Sequence, residues 1–278
     1  MSNNFEDLPA LRDVIFEHNL RAEKSLGQNF LFDQNITDKI ARQAGDLSGK
    51  TVIEIGPGPG GLTRSLLKSD ARKIIAVEFD PRAVAALQDL KQFVGDRLEI
   101  IHGDALNVDL KTVCEGPRVI AANLPYNIAT PLLTGWLAQI HDDVASYDMM
   151  ILMFQKEVAE RIVASANSKA YGRLSVISQW LCQTNKLFDL SPAAFTPPPK
   201  IKSSIVKFTP RILSEKAPAF KSVEKVTAAA FGQRRKMIRS SLKFYADYME
   251  ELGLNVESRA EELDVEDFIN IARLSVKH

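Results

Sequence analysis

The run Thr51-Val-Ile-Glu54-Ile-Gly56-Pro-Gly58-Pro-Gly60-Gly61-Leu-Thr63 limits the fold more than any other stretch. An apolar, β-rich segment enters a turn holding four glycines, and a helix with apolar positions at Leu62, Leu66 and Leu67 leaves it. Glycines let a backbone approach a ligand closely, and the first N–H groups of a helix have no partner inside it. A second strand, 73–78, ends in Glu78. That acid lies about 20 residues beyond the turn, the spacing at which a carboxylate reaches ribose hydroxyls. Together the features point to an adenosine-bearing cofactor. A tight strand-to-helix turn with no ligand is the plainer alternative.

The alternation of strand and helix continues. Strands are expected at 98–102, 119–122 and 149–155, with helices around 132–140, 156–164 and 174–183. Strands at 186–190 and 204–208 would finish the sheet. Short, continuously apolar strands separated by helices predict an α/β fold, a parallel sheet covered by helices on both faces, with ligands at the carboxyl ends of the strands. Ahead of it, 8–18 has helical spacing. The segment 24–33 reads as a surface connector, and Asp33 or Asn35 can cap the helix through Ile36 and Ile40.

Two strand ends carry polar chemistry. Asp104, after 98–102, either meets an adenine amino group or caps its own turn. The stretch Asn123-Leu124-Pro125-Tyr126 stops the strand at 119–122 with an amide, a proline and an aromatic. Pro125 fixes its own φ and holds Leu124 extended, so the preceding carbonyls point in set directions. Read alone, Asn123 is a helix cap and Tyr126 a core side chain. Read at the end of a ligand-bearing strand, they hold a flat group with an amino function. Phe195, on an arm stiffened by Pro197 to Pro199, is either a core plug or a second plate opposite Tyr126.

Near Pro210 the pattern turns wholly helical, which divides the chain into 1–210 and 211–278. From Lys216 to Lys243 the lone acid is Glu224, whereas from Asp247 to Asp267 the lone base is Arg259. Arg235, Arg239 and Lys243 recur at four-residue spacing and are expected on one helix face. Such a block is a solvated face or, beside Phe231 and Phe244, a phosphate-binding patch. The formal net charge of zero does not announce this partner. Cys114 and Cys182 have neither metal-like spacing nor the makings of a disulfide framework, so no metal is expected and a reducing cytoplasm is. No signal core or bilayer-length apolar run is present in the sequence.

Two adenosine cofactors compete, a dinucleotide and S-adenosylmethionine. Prolines stand between the glycines of the turn, unlike the usual dinucleotide pattern. Asn-Leu-Pro-Tyr has no role in hydride transfer. It has one in methylating an exocyclic amine: the Asn123 oxygen and the Leu124 carbonyl each accept an N6–H of adenine and free the nitrogen lone pair, while Tyr126 stacks on the base.

These residues resemble the bacterial small-subunit ribosomal RNA adenine N6-dimethyltransferase family. The matching motifs are Lys24-Ser-Leu-Gly-Gln-Asn-Phe-Leu31, Glu54-Ile-Gly-Pro-Gly-Pro-Gly60, Val77-Glu78, Gly103-Asp104-Ala105, Asn123-Leu-Pro-Tyr126, Phe154-Gln-Lys-Glu-Val-Ala-Glu-Arg161, Phe195-Thr-Pro-Pro-Pro-Lys200 and Phe231-Gly-Gln-Arg-Arg-Lys236. The resemblance implies a Rossmann-like, class I S-adenosylmethionine-dependent methyltransferase domain over 1–210, with an N-terminal helix and cofactor lid in 1–35, and a small helical domain over 211–278. It places cofactor contacts on Asn29, Leu31, Gly56, Gly58, Glu78, Asp104 and Asn123, and catalysis on Asn123, Leu124, Pro125, Tyr126 and Phe195. RNA contacts fall on Arg234, Arg235, Lys236, Arg239 and Lys243. The implied substrate is a hairpin near the 3′ end of the RNA in an immature 30S subunit, where two adjacent adenosines each receive two methyls, and nothing in the pattern demands more than a monomer. The alternatives are an assembly checkpoint acting by binding, or a relative that methylates large-subunit RNA or DNA.

Overall fold

The computed structural model describes residues 7–23 and 27–275; positions 24–26 of the expected lid and the chain ends at 1–6 and 276–278 lie outside the described residues. The first helix, α1 (Leu11–Glu17), is shorter than its periodicity, because Pro9 disfavours a helical Leu8 and Ala10 becomes the cap. Next come β1 (Phe30–Leu31) and α2 (Gln34–Arg42), whose N-terminus is capped by Asp33 accepting from Asn35 N at 2.9 Å. The alternating part runs β2 (Thr51–Ile55), α3 (Gly61–Leu67), β3 (Lys73–Glu78), α4 (Pro81–Val94), β4 (Leu98–His102), β5 (Arg118–Asn123), α5 (Ala129–Asp142), β6 (Met149–Gln155) and α6 (Lys156–Ile162). It closes with α7 (Arg173–Leu181), β7 (Cys182–Leu190), β8 (Phe195–Thr196) and β9 (Ser203–Pro210).

The main sheet has seven strands in the order β4-β3-β2-β5-β6-β9-β7. Strands β2 to β6 are parallel. The parallel expectation fails at the far edge: β9 inserts between β6 and β7 and runs antiparallel to both, because β7 returns into it without a crossover helix. Order reverses between β2 and β5, where the connections leave to opposite sides and open a crevice at the strand ends. Side-chain alternation splits the core. Ile53, Ile55, Ile120 and Ala122 face one apolar cluster with α5 and α7; Val52, Val119 and Ala121 face another with α2, α3 and α4.

Beyond Pro210 the described residues are helical: α8 (Phe220–Gly232), α9 (Ile238–Ser241), α10 (Ala246–Glu251) and α11 (Val265–Leu274). Val223, Val226 and Ala230 of α8 and Phe268 of α11 join the cluster of Val176 and Trp180, and Phe220 stacks on Trp180 with ring centroids 6.3 Å apart. The expected basic helix from Phe231 onward is not formed. After Gly232 the chain turns, Met237 bridges to Arg259, and Ile238 N and Arg239 N donate to Ser258 and Val256 carbonyls at 2.8 and 3.1 Å. Those tertiary bonds replace helical ones, so Arg235, Arg239 and Lys243 do not share a helix face.

Candidate active site

A cavity of about 240 Å³ occupies the crevice. Its floor is the glycine turn and its roof is the segment from Gly27 to Leu31. The turn must be glycine where the roof presses on it. At Gly58, with φ +55°, a Cβ would lie 2.9 Å from the Phe30 ring; at Gly61 it would lie 2.6 Å from the Leu31 carbonyl oxygen. The roof is tied at both ends. Gln28 Nε2 donates to Asp80 Oδ2 at 3.0 Å, and β1 pairs with β8, placing Phe30 opposite Thr196 and Leu31 opposite Phe195. Sequence reading missed that pairing, since two-residue strands carry no periodic signal.

Asn29, Leu31, Gly56, Gly58, Glu78, Asp104 and Asn123 all lie in the cavity wall, and Leu124, Pro125 and Tyr126 complete it. Glu78 is buried. Its Oε1 accepts from Phe79 N and Asp80 N at 2.8 Å each, and its Oε2 accepts from Gly58 N at 3.0 Å. Each carboxylate oxygen offers two lone pairs, so Oε2 keeps one for a hydroxyl. Burial pushes the Glu78 carboxyl up, against those backbone donors. Asp104 caps its own turn through Leu106 N at 2.9 Å and also lines the cavity.

Two acids in the wall were not singled out from the sequence. Glu54 is 1% exposed, and its Oε2 has no partner among the described residues. Burial, reinforced by the charge of Glu78, pushes its carboxyl up to about 8. Its signal was an acid interrupting an otherwise apolar strand. Asp80 accepts from Arg82 Nη2 at 2.7 Å; burial pulls upward, but Arg82 and Gln28 hold it down to about 2. Phe79, between Glu78 and Asp80, exposes 59% of its surface at the cavity rim.

At the strand end, Asn123 Nδ2 donates to the Asn29 carbonyl at 3.0 Å. That bond uses one of the two N–H groups of the amide and fixes the side chain, leaving Oδ1 as an acceptor on the other side. The Leu124 side chain is 1% exposed and anchors the turn in the core, while Pro125 fixes the backbone after it. The Tyr126 hydroxyl hydrogen-bonds Ser203 Oγ at 2.6 Å, which sets the edge of its ring; burial pushes this phenol up. Phe195 is not in the cavity wall. It is 3% exposed among Leu31, Leu190 and Ile205, because pairing with β1 turns its side chain into the core and leaves Thr196 outside. Of the two places expected for Phe195, it occupies that of a core plug and does not stand in the cavity wall opposite Tyr126.

The C-terminal cations divide. Arg234 donates through Nε to Glu261 Oε2 at 2.9 Å and through Nη2 to the Lys169 carbonyl, so it fastens the turn after α8 to its neighbours. Arg239 stands 3.8 Å from Glu257 on the surface, and Lys243 Nζ lies 4.9 Å from the Phe244 ring centroid. Arg235 and Lys236 are exposed without an acidic partner among the described residues. No group of ligating side chains suited to a metal ion is formed among the described residues.

A family model described as ribosomal RNA adenine dimethylase matches residues 19–277. Two relatives named ribosomal RNA small subunit methyltransferase A align along nearly their whole length. That of Rhodospirillum rubrum is 51% identical over 271 residues, covering 96% of this chain and 93% of its own. That of Afipia carboxidovorans is 53% identical over 275 residues, covering 97% of each. Among solved structures, a dimethyladenosine transferase from Plasmodium falciparum superposes with a TM-score of 0.74 at 29% identity, over 87% of this chain and 95% of that one. The 23S rRNA methyltransferase ErmE superposes with a TM-score of 0.67 at 22% identity, over 89% and 100%, a likeness of fold alone.

Proposed function

This chain belongs to the ribosomal RNA adenine dimethylase family, and we propose that it methylates the N6 amines of two adjacent adenosines in a hairpin near the 3′ end of small-subunit ribosomal RNA, taking each to dimethyladenosine. The methyl donor in this reading is S-adenosylmethionine, and the substrate is the RNA in an immature 30S subunit, met by a monomeric enzyme in the cytoplasm. The observation that carries the reading is the Asn123–Asn29 bond, which leaves an amide oxygen directed away from its anchor in the wall of an adenosine-sized crevice.

The cavity suits this cofactor. The unpartnered Glu54 oxygen is a ready acceptor for an ammonium group, the remaining Glu78 lone pair for a ribose hydroxyl, and the exposed Phe79 ring for an adenine face. When bound, the cofactor supplies an electrophilic methyl on a sulfonium. Everything else falls to the chain. Asn123 Oδ1 and the Leu124 carbonyl accept the two N6 hydrogens, drawing the amine out of conjugation with the ring. Tyr126, braced by Ser203, offers the base a flat wall. The amine proton becomes acidic only after alkylation, so no strong base is needed beside Asn123. In the second round one N–H remains, and one of the two hydrogen bonds is given up. Arg235, Lys236, Arg239 and Lys243 are the proposed backbone contacts of the helical segment; Arg234, already bound to Glu261, supports their turn.

The decisive experiment is mass spectrometry of small-subunit RNA from cells lacking the gene. Loss of dimethyladenosine is expected, and an undiminished level would sink the reading. A panel of unmethylated small subunits, large-subunit RNA and duplex DNA separates it from the alternative substrates.

A further inference from the structure

The carboxyl edge of the sheet is chemically split. Its cofactor half, at the ends of β3 and β4, carries Glu78, Asp80 and Asp104. The other half carries Lys156 just after β6 and Lys200 and Lys202 just before β9, with Lys186 nearby on the edge strand β7. Strand register brings Lys156 beside Lys202 although they are far apart in the chain. Ser203 pairs with Gln155 on one side and Leu190 on the other, and Lys156 N donates to the Lys202 carbonyl at 2.9 Å. Asp189 then draws two of the ammonium groups together, Lys156 Nζ at 2.9 Å and Lys186 Nζ at 3.1 Å, while accepting from Ser204 Oγ at 2.7 Å. Apart from Asp189, the acid facing this group is Glu160, 3.8 Å from Lys156. Lys200 and Lys202 are exposed and have no acidic partner among the described residues, so the cluster keeps a positive excess.

The position of that excess gives it meaning. Lys202 immediately precedes Ser203, whose hydroxyl is bonded to Tyr126. A base drawn in beside Tyr126 leaves its flanking phosphates at the rim of the pocket, and the cofactor half of that rim is acidic. We propose that Lys156, Lys186, Lys200 and Lys202 form a phosphate-binding rim for the RNA strand flanking the target adenosine, distinct from the basic segment after α8. Asp189 is its positioning residue, holding Lys156 and Lys186 on one side of the pocket. Phosphate contacts of this kind set register and affinity without reading sequence, and each releases counterions. The inference rests on the RNA-methylation reading above.

The test uses unmethylated small ribosomal subunits as the probe, with affinity measured across a salt series. Lys200→Ala combined with Lys202→Ala is expected to weaken binding and to lower the slope of log affinity against log salt by about 1–2. Titration of S-adenosylmethionine should give the wild-type affinity, and Lys200→Arg with Lys202→Arg should restore the slope, which a loss of structure would not allow. A wild-type enzyme that fails to methylate small subunits refutes the RNA reading and the rim with it. A wild type that methylates them, beside an alanine variant of unchanged affinity and slope, overturns the rim alone.

Discussion

Glu54 allows the reading of the cofactor cavity to be tested through stability. The side chain is buried in β2 with an unpartnered oxygen, and burial raises its carboxyl from 4.5 to about 8. The folded state therefore holds this proton more tightly than the unfolded chain. Stability from this group is complete below the unfolded value and is lost as pH climbs from 4.5 toward 8. At pH 7 the unfolded side chain has shed its proton and the folded one has not, a mismatch worth roughly 3 kcal/mol at ~1.4 kcal/mol per pH unit. Glu54→Gln keeps the size and removes the titration. In the cofactor-free protein it should raise the melting temperature by roughly 6–12 °C near pH 7 and by little near pH 4.5. The same variant should bind S-adenosylmethionine at least about tenfold more weakly, because the Glu54 carboxyl can give up its proton to balance an ammonium and a neutral amide cannot. Calorimetric melts across that pH range and a binding titration measure both. A melting difference that is the same at both ends of the range, or an undiminished affinity, would refute the reasoning.

Other substitutions separate the remaining roles. Asn123→Ala should lower kcat by about 100- to 1000-fold while cofactor binding weakens only modestly, measured by single-turnover methyl transfer; near-normal turnover would rule out the proposed activation of the amine. Phe195→Ala should cost about 3–5 kcal/mol in denaturant unfolding, as expected for a core plug. Normal stability with lost turnover would restore it as a plate. Gly61→Ala drives a methyl into the Leu31 carbonyl, so cofactor affinity should fall through displacement of the roof, with hydrogen exchange rising at Phe30 and Leu31. Ser203→Ala should raise KM for RNA more than it lowers kcat, because it frees the Tyr126 ring without touching the amine; equal changes in both would count against a bracing role.

Much of the site was legible before the fold was known because its chemistry is local. The glycine turn, the acid that ends β3 and the amide that ends β5 announce themselves through backbone constraints acting over a few residues. The burial of the strands follows from their largely apolar runs, broken in β2 by Glu54 alone. The Asn123–Tyr126 stretch needed only its position at a strand end to become chemically meaningful. Where reading went astray, a distant partner had overridden local preference. The four-residue spacing of Arg235, Arg239 and Lys243 is a genuine helical pattern, yet carbonyls of Val256 and Ser258 take the N–H groups that a helix would have used.

By itself, then, the chain determined the alternation of elements, the glycine turn and the placement of polar groups at strand ends, since periodicity, turn chemistry and proline stiffness act between neighbours. Tertiary structure decided what those groups face. Phe30 and Leu31 meet Thr196 and Phe195 across a pairing of two-residue strands, which buries one aromatic ring and roofs the cavity. Asn29 takes the Asn123 donor and thereby orients its acceptor. Lys156 after β6 meets Lys202 before β9, and Asp189 of β7 joins Lys156 to Lys186, because β9 lies between β6 and β7. Each of these is a contact between segments far apart in the chain, and such contacts are chosen by the packing of the whole molecule.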